Sequence, residues 1–291
     1  MLLIRANHLI LRSLLLLTIL VAGACVPTRP PLPPGYIPPE PYLATEDERY
    51  GHQVLVSLMR EFDLERDDRI ISRVRRVADR ITKDGIGSRN TWHVYVLRSD
   101  RIKNAAATKG NHLFVWTPLL SSMRNDAELA TVLSHEIAHV IAGHTQDDPR
   151  AESAKILGDV MGEATSQLLG IYGGVAPLVG AIAGSLISSG VDAAINNPAQ
   201  QQKELEADQI GIMLLAKAGY DPRAAIDLWD RLQHDPDFSG PRISFLSTHP
   251  SSKERLEKLR QNLPEALAIY RGRSGSTKPI SDKKTNQWTI E

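Results

Sequence analysis

His135 to His139 reads HEIAH, two imidazoles and a carboxylate at a spacing that can hold a metal ion and supply a base. At 100° per residue, positions four apart on a helix point within about 40° of each other, so both rings can reach one cation. Glu136 lies one step round. It is too far from the ring plane to share it, but it is placed to meet a water at the metal. Zinc lowers the pKa of such a water towards about 7, and a neighbouring carboxylate can take its proton as it attacks a carbonyl. Two histidines leave the set incomplete. A third ligand is required.

ELEAD, Glu204 to Asp208, supplies one. Glu204 and Asp208 share a helix face at i, i+4. Glu204 can donate an oxygen, and Asp208 can accept the free N–H of a liganding histidine and hold its ring. Glu206 points away and is expected to be a solvated helix residue. Two His, one Glu and an open fourth position describe a hydrolytic zinc site, not a closed structural one. His144, nine residues past His135, falls about 180° round a continued helix and is read as structural. His249 lies in THPSSKERL, an irregular stretch where proline sets the turn. It is either a surface histidine, a group that reaches the metal's open position, or a donor to a developing oxyanion. Arg255 could stabilise charge or form an ion pair. His8, His52, His93, His112 and His234 have no companion residues and stay unassigned.

These residues need helices and a small sheet to hold them. Glu46–Arg60 and Asp67–Lys83 are amphipathic, and the second is stopped by Gly85. Trp92–Leu97 and His112–Trp116 are rich in β-branched and aromatic residues and read as strands. Between them, NAAATKGN lets Ala105–Ala107 pair with the second strand as a hairpin across a Lys-Gly-Asn turn. Asn125 caps a helix reaching Ile141, with Glu128 at its third position and Gly143 just past its end. HEIAH is therefore mid-helix. Pro198–Ala218 is a further helix ended by Gly219, Asp221-Pro222 opens another, and a short one starts at Ser251. Helices packed mainly on one side of a small sheet make the fold class α+β.

The chain has 291 residues and balances 34 basic against 34 acidic side chains. That neutrality, with no basic stretch, argues against a nucleic-acid partner. The single cysteine, Cys25, excludes an internal disulfide framework. Arg5 and Arg12 precede an apolar run, Leu14 to Ala22, too short to cross a bilayer but suited to a signal peptide. Ala-Gly-Ala then leads into Cys25, an order that resembles a bacterial lipoprotein signal with the cysteine as lipidation site; ordinary secretion is the alternative. Val26 rather than Asp after it favours, by the same resemblance, the outer membrane. Eight prolines between Pro27 and Pro41 describe an extended spacer, at about 3.1 Å per residue roughly 40 Å long. The expected organisation is a signal peptide over 1–24, a lipidated linker over 25–44, a catalytic domain over 45–271 and a polar tail over 272–291. Ala164 to Val191 carries no charge but is broken by Pro177 and several glycines. A buried hairpin, a lid or membrane-touching surface, and a membrane span all remain open there.

HEIAH, ELEAD followed by Gly211, and THPSSKERL, in that order, resemble the motifs of the M forty-eight zinc metalloproteases, specifically the bacterial periplasmic lipoprotein branch. The resemblance runs from about Thr45 to Leu263. It implies one zinc bound by His135, His139 and Glu204, with Glu136 catalytic. Asn104 and Ala105, in NAAATKG, occupy the place of the segment before the edge strand that lines the family's substrate cleft. The helical-repeat domain of some members is not expected here. The implied function is a lipid-anchored endopeptidase that removes misfolded or stalled envelope polypeptides, which bind as an added strand. A non-proteolytic chaperone or scaffold on the same fold is the alternative.

Overall fold

The computed structural model describes residues 32–33, 35–88, 90–100, 102–147, 198–239, 245–249 and 251–274. Cys25, the stretch from Ala164 to Val191 and the tail from 275 lie outside the described residues. Helix α1 (Thr45–Leu58) and helix α2 (Asp68–Asp79) come first, α2 continuing as a π-helical segment, Arg80–Ile86, that closes on Gly87. Strands β1 (His93–Leu97), β2 (Ala105–Thr108) and β3 (His112–Trp116) form one sheet in the order β1-β3-β2. β1 runs parallel to β3, and β2 returns antiparallel to it with Ala106 opposite Phe114. The expected hairpin is present, turning through Gly110 and Asn111 at positive φ.

Helix α3 (Thr117–Ser122) leads to α4 (Asp126–Ile141), capped where Asn125 accepts from the Glu128 N–H. Nearly every α4 side chain is buried, so this helix is the centre of the molecule. A short α5 (His144–Asp147) follows. Beyond the undescribed stretch come α6 (Pro198–Lys217), α7 (Arg223–His234), α8 (Pro236–Ser239), α9 (Phe245–Thr248) and α10 (Lys253–Ser274). The last is a long helix rather than the expected short one. Leu256, Leu259 and Ala266 bury a stripe at helical spacing, and Pro264 sits within it without ending it. α6 packs between α4 and α10. The fold is mostly helical with a small mixed sheet, as expected for the α+β class. No helix among the described residues is long and apolar enough to cross a membrane.

The proline-rich segment joins the fold earlier than its composition suggests. Glu40 accepts from Ser88 Oγ at 2.7 Å, Trp92 Nε1 at 2.9 Å and Asn111 Nδ2 at 3.2 Å, while Gln209 donates to the Pro33 carbonyl at 2.6 Å. Gly35 is at φ +70, where any Cβ would strike Glu265. Among the described residues, contacts with the domain are thus present from Pro33 onward, ahead of Thr45.

Three histidines without apparent companions sit close together. Parallel pairing places His93 beside His112 with rings 4.5 Å apart, and Gly51 of α1 packs directly on the His112 ring. His112 is 2% exposed with neither ring nitrogen hydrogen-bonded. Burial, reinforced by nearby His93 and His52, lowers its pKa from 6.5 to about 4. Below 6.5 the unfolded chain binds a proton that the folded chain refuses. Stability is therefore full above pH 6.5 and falls as the pH drops towards 4, by on the order of 2 kcal/mol after discounting for screening. Urea unfolding at pH 7 and pH 4.5 should show this loss, and His112→Gln should flatten it. A variant with an unchanged pH slope would mean that other groups carry the acid sensitivity.

Candidate metal centre

α4 and α6 pack closely against each other. Gly211 on α6 allows this, since a Cβ there would lie 3.3 Å from the backbone of His135, a tight contact. One and two turns back along α6, Asp208 and Glu204 face the imidazoles of α4, as their i, i+4 spacing requires. His135 Nε2 and His139 Nε2 are 3.1 Å apart. Glu204 places Oε2 3.2 Å from His135 Nε2 and Oε1 3.6 Å from His139 Nε2. His249, directly after α9, brings Nδ1 within 3.1 Å of both Glu204 oxygens and 3.2 Å of His135 Nε2. One ligand atom from each of His135, His139, Glu204 and His249 fits within 4.8 Å, and these four make up the metal-ligating cluster found among the described residues. Glu136, 3% exposed, turns Oε1 towards His249 Nε2 at 3.2 Å.

A second layer of buried polar groups holds this set. Asp208 Oδ1 lies 3.0 Å from His135 Nδ1. Arg255 grips Asp208 with two bonds, Nε at 2.7 Å and Nη2 at 2.8 Å, and reaches Glu204 Oε2 at 3.0 Å. Its guanidinium also lies over the Trp229 ring, 4.2 Å from the centroid. Of the two roles open for Arg255, the ion pair is the one formed. Such a pair is costly to bury unless both partners are fully hydrogen-bonded, and the bidentate geometry achieves that. Trp229 and Phe245 wall off His135, each 5.8 Å from its ring. Neither was marked by a sequence pattern; only the burial of α7 and α9 against α4 reveals them.

Electrostatics follow from burial and these partners. Burial pushes the Glu204 carboxyl up, but His249, Arg255 and His139 together hold it well below its ordinary range. Asp208 is lowered in the same way by Arg255, against its burial. Burial would depress His135, yet its bonds to Asp208 and Glu204 reverse this and raise it to about 9. His139 is driven well below 6.5 by burial and by the neighbouring histidines, despite Glu204. It is thus neutral, the form a metal needs. The buried carboxylates of Glu136, Glu204 and Asp208 outnumber the two positive groups beside them, Arg255 and a protonated His135, and a dication that takes the place of the His135 Nε2 proton would balance the set. Imidazole nitrogens and a carboxylate are the donor types zinc prefers. The residues fit that ion.

Two sequence expectations fail here. Glu206 is not solvated: it is 6% exposed and its Oε2 lies 2.8 Å from His144 Nε2. His144 is not on the far side of a continued helix, because α4 ends at Ile141 and Gly143 at φ +76 turns the chain back. Its Nδ1 ends 2.9 Å from His139 Nδ1. Asn104 and Ala105 lie at the start of edge strand β2, and both are buried. Asn104 Oδ1 accepts from its neighbour's N–H and from Thr248 Oγ1, while Phe245 N–H donates to the Lys103 carbonyl. The segment from Phe245 to His249 therefore ties the edge strand to the metal centre.

A model described as peptidase family M48 matches residues 64–263 of the chain. The mitochondrial metalloendopeptidase OMA1 of Schizosaccharomyces pombe is 34% identical over 193 residues, 66% of this chain and 53% of that protein. Human OMA1 is 32% identical over 186 residues, 62% of this chain and 34% of the relative. The β-barrel assembly-enhancing protease of Escherichia coli is 30% identical over 176 residues, 58% and 34% respectively. The chain thus spans from about a third to about half the length of these relatives.

Proposed function

We propose a function from one premise, that the chain belongs to peptidase family M48. It is a zinc-dependent endopeptidase with His135, His139 and Glu204 as ligands and Glu136 as the proton acceptor. The observation that carries this reading is the convergence of α4 and α6, which buries three ligands of the right types beside a carboxylate that is not one of them. Zinc, when bound, supplies a Lewis acid that polarises the scissile carbonyl and acidifies water. The chain's own residues do the rest. Glu136 takes the proton of the attacking water and can return it to the leaving amine. Asp208, anchored by Arg255, fixes the tautomer and orientation of His135, and Trp229 and Phe245 exclude bulk water from that ring.

The substrate is an extended polypeptide that adds to the β2 edge near Asn104 and Ala105, a mode open to unfolded chains and closed to folded ones. The name of the Escherichia coli relative points to β-barrel assembly, and the reading here is removal of misfolded or stalled envelope polypeptides. Cys25 carries the lipid that holds the enzyme on the periplasmic face of the outer membrane. An unfolded casein substrate should be cut by the purified protein, lost with a chelator and restored by zinc; cleavage that persists without metal would end the zinc reading. Cys25→Ser should move the protein from the membrane fraction to the supernatant with cleavage unchanged. If it stays in the pellet after a salt wash, a second element binds the membrane.

A further inference from the structure

His135 and His139 each turn Nε2 towards the ligand cluster and leave Nδ1 for a neighbour. For His135 that neighbour is Asp208. For His139 it is another histidine: His144 Nδ1 at 2.9 Å, with His144 Nε2 in turn 2.8 Å from Glu206 Oε2. His144 and Glu206 are 4% and 6% exposed. The protons in this chain can be placed in one way if His139 offers Nε2 to a cation. Its proton is then on Nδ1, so His144 Nδ1 must accept it, and the proton of His144 must be on Nε2, aimed at the Glu206 carboxylate.

We infer that Glu206 and His144 form a positioning pair that fixes the tautomer and ring orientation of His139, the counterpart of Asp208 on His135. This rests on the reading that His135, His139 and Glu204 hold zinc. ELEAD then supplies three acidic groups to one centre, Glu204 to the metal and one carboxylate for each histidine. Glu206 reaches its histidine although it is two positions from Glu204, because α4 has ended and the turn at Gly143 carries His144 round to meet it. A pair that served only to satisfy buried groups would not need His144 to present its remaining nitrogen to a metal ligand.

The test is zinc affinity of the full chain, read by competition with a chromophoric chelator, with Co2+ as a spectroscopic stand-in. His144→Phe should weaken zinc by roughly 10- to 100-fold and shift the Co2+ d–d bands. His144→Asn, whose side-chain oxygen can take the place of Nδ1 as acceptor, should recover most of the affinity. Glu206→Gln, nearly isosteric, should weaken zinc several-fold with unchanged circular dichroism, which keeps the question answerable if His144→Phe does not fold. A purely structural pair would lower the melting temperature and leave the zinc constant and Co2+ spectrum alone, and that result overturns the inference. So does an Asn variant no better than Phe. Glu204→Ala separates the two readings: if it loses zinc while the His144 and Glu206 variants do not, only the positioning role fails. If Glu204→Ala also keeps full affinity, the metal centre itself has been misassigned.

Discussion

Glu136→Gln should fold, bind zinc as the wild type does and lose peptide hydrolysis by about 10³-fold. The substitution keeps the side chain's shape in a site where Glu136 is 3% exposed, so α4 and the ligands on either side of it have no reason to move. What disappears is the ability to accept a proton. An amide oxygen can still sit beside His249 Nε2, 3.2 Å from Oε1 in the present structure, but it cannot carry the water's proton through the reaction. Stability should change little, because one carboxylate leaves a centre that holds more negative than positive charge. The check is single-turnover cleavage of an unfolded substrate, with zinc content measured by elemental analysis on the same sample. Turnover within tenfold of wild type, at full zinc occupancy, would mean that another group accepts the proton.

What could be read from the residues, and what could not, divides along the range of the interactions. The helix bearing HEIAH, its Asn125 cap and the shared face of Glu204 and Asp208 follow from periods of three and four residues, and each is present. The hairpin of β2 and β3 is equally local, set by a turn at Gly110 and Asn111. Arg255 is different. Its partner Asp208 lies 47 residues away, so the choice between charge stabiliser and ion pair needed the packing of α10 on α6. Glu40 is similar, its proline-rich surroundings suggesting a free spacer while its donors come from residues 88 to 111. The error over His144 was one of geometry. Counting 100° per residue from His135 presumes a helix that continues to His144, whereas it stops at Ile141 and Gly143 just beyond is a stop signal. Once the chain turns there, His144 and Glu206 meet as a buried pair. The stacking of His93 on His112 was equally hidden, since it depends on β1 pairing parallel with β3 in that register.

His249→Ala should raise basal cleavage by about tenfold or more. In this structure the His249 imidazole lies against the groups a substrate must reach. Nε2 is 3.2 Å from Glu136 Oε1, and Nδ1 is 3.1 Å from both oxygens of Glu204. A scissile carbonyl and its water cannot approach Glu136 while that ring is in place. The segment that carries it also occupies the edge strand, through Phe245 N–H on the Lys103 carbonyl and Thr248 Oγ1 on Asn104. One short stretch thus blocks both the base and the start of the strand where a substrate would add. If nine in ten molecules rest in this arrangement, the apparent rate is reduced about tenfold, and removing the ring restores it. His135, His139 and Glu204 remain, so zinc content should hold. The sign of the change distinguishes the roles that the sequence left open. A fall of about 10²-fold at constant zinc would make His249 a donor to the developing oxyanion. No change would leave it a passive wall. A surface role is already excluded, for His249 is 5% exposed and packed on Phe245, with ring centroids 4.7 Å apart. A rise is the expected result because, as placed, the imidazole contacts the proton acceptor itself and leaves no room between them for the water that Glu136 must deprotonate.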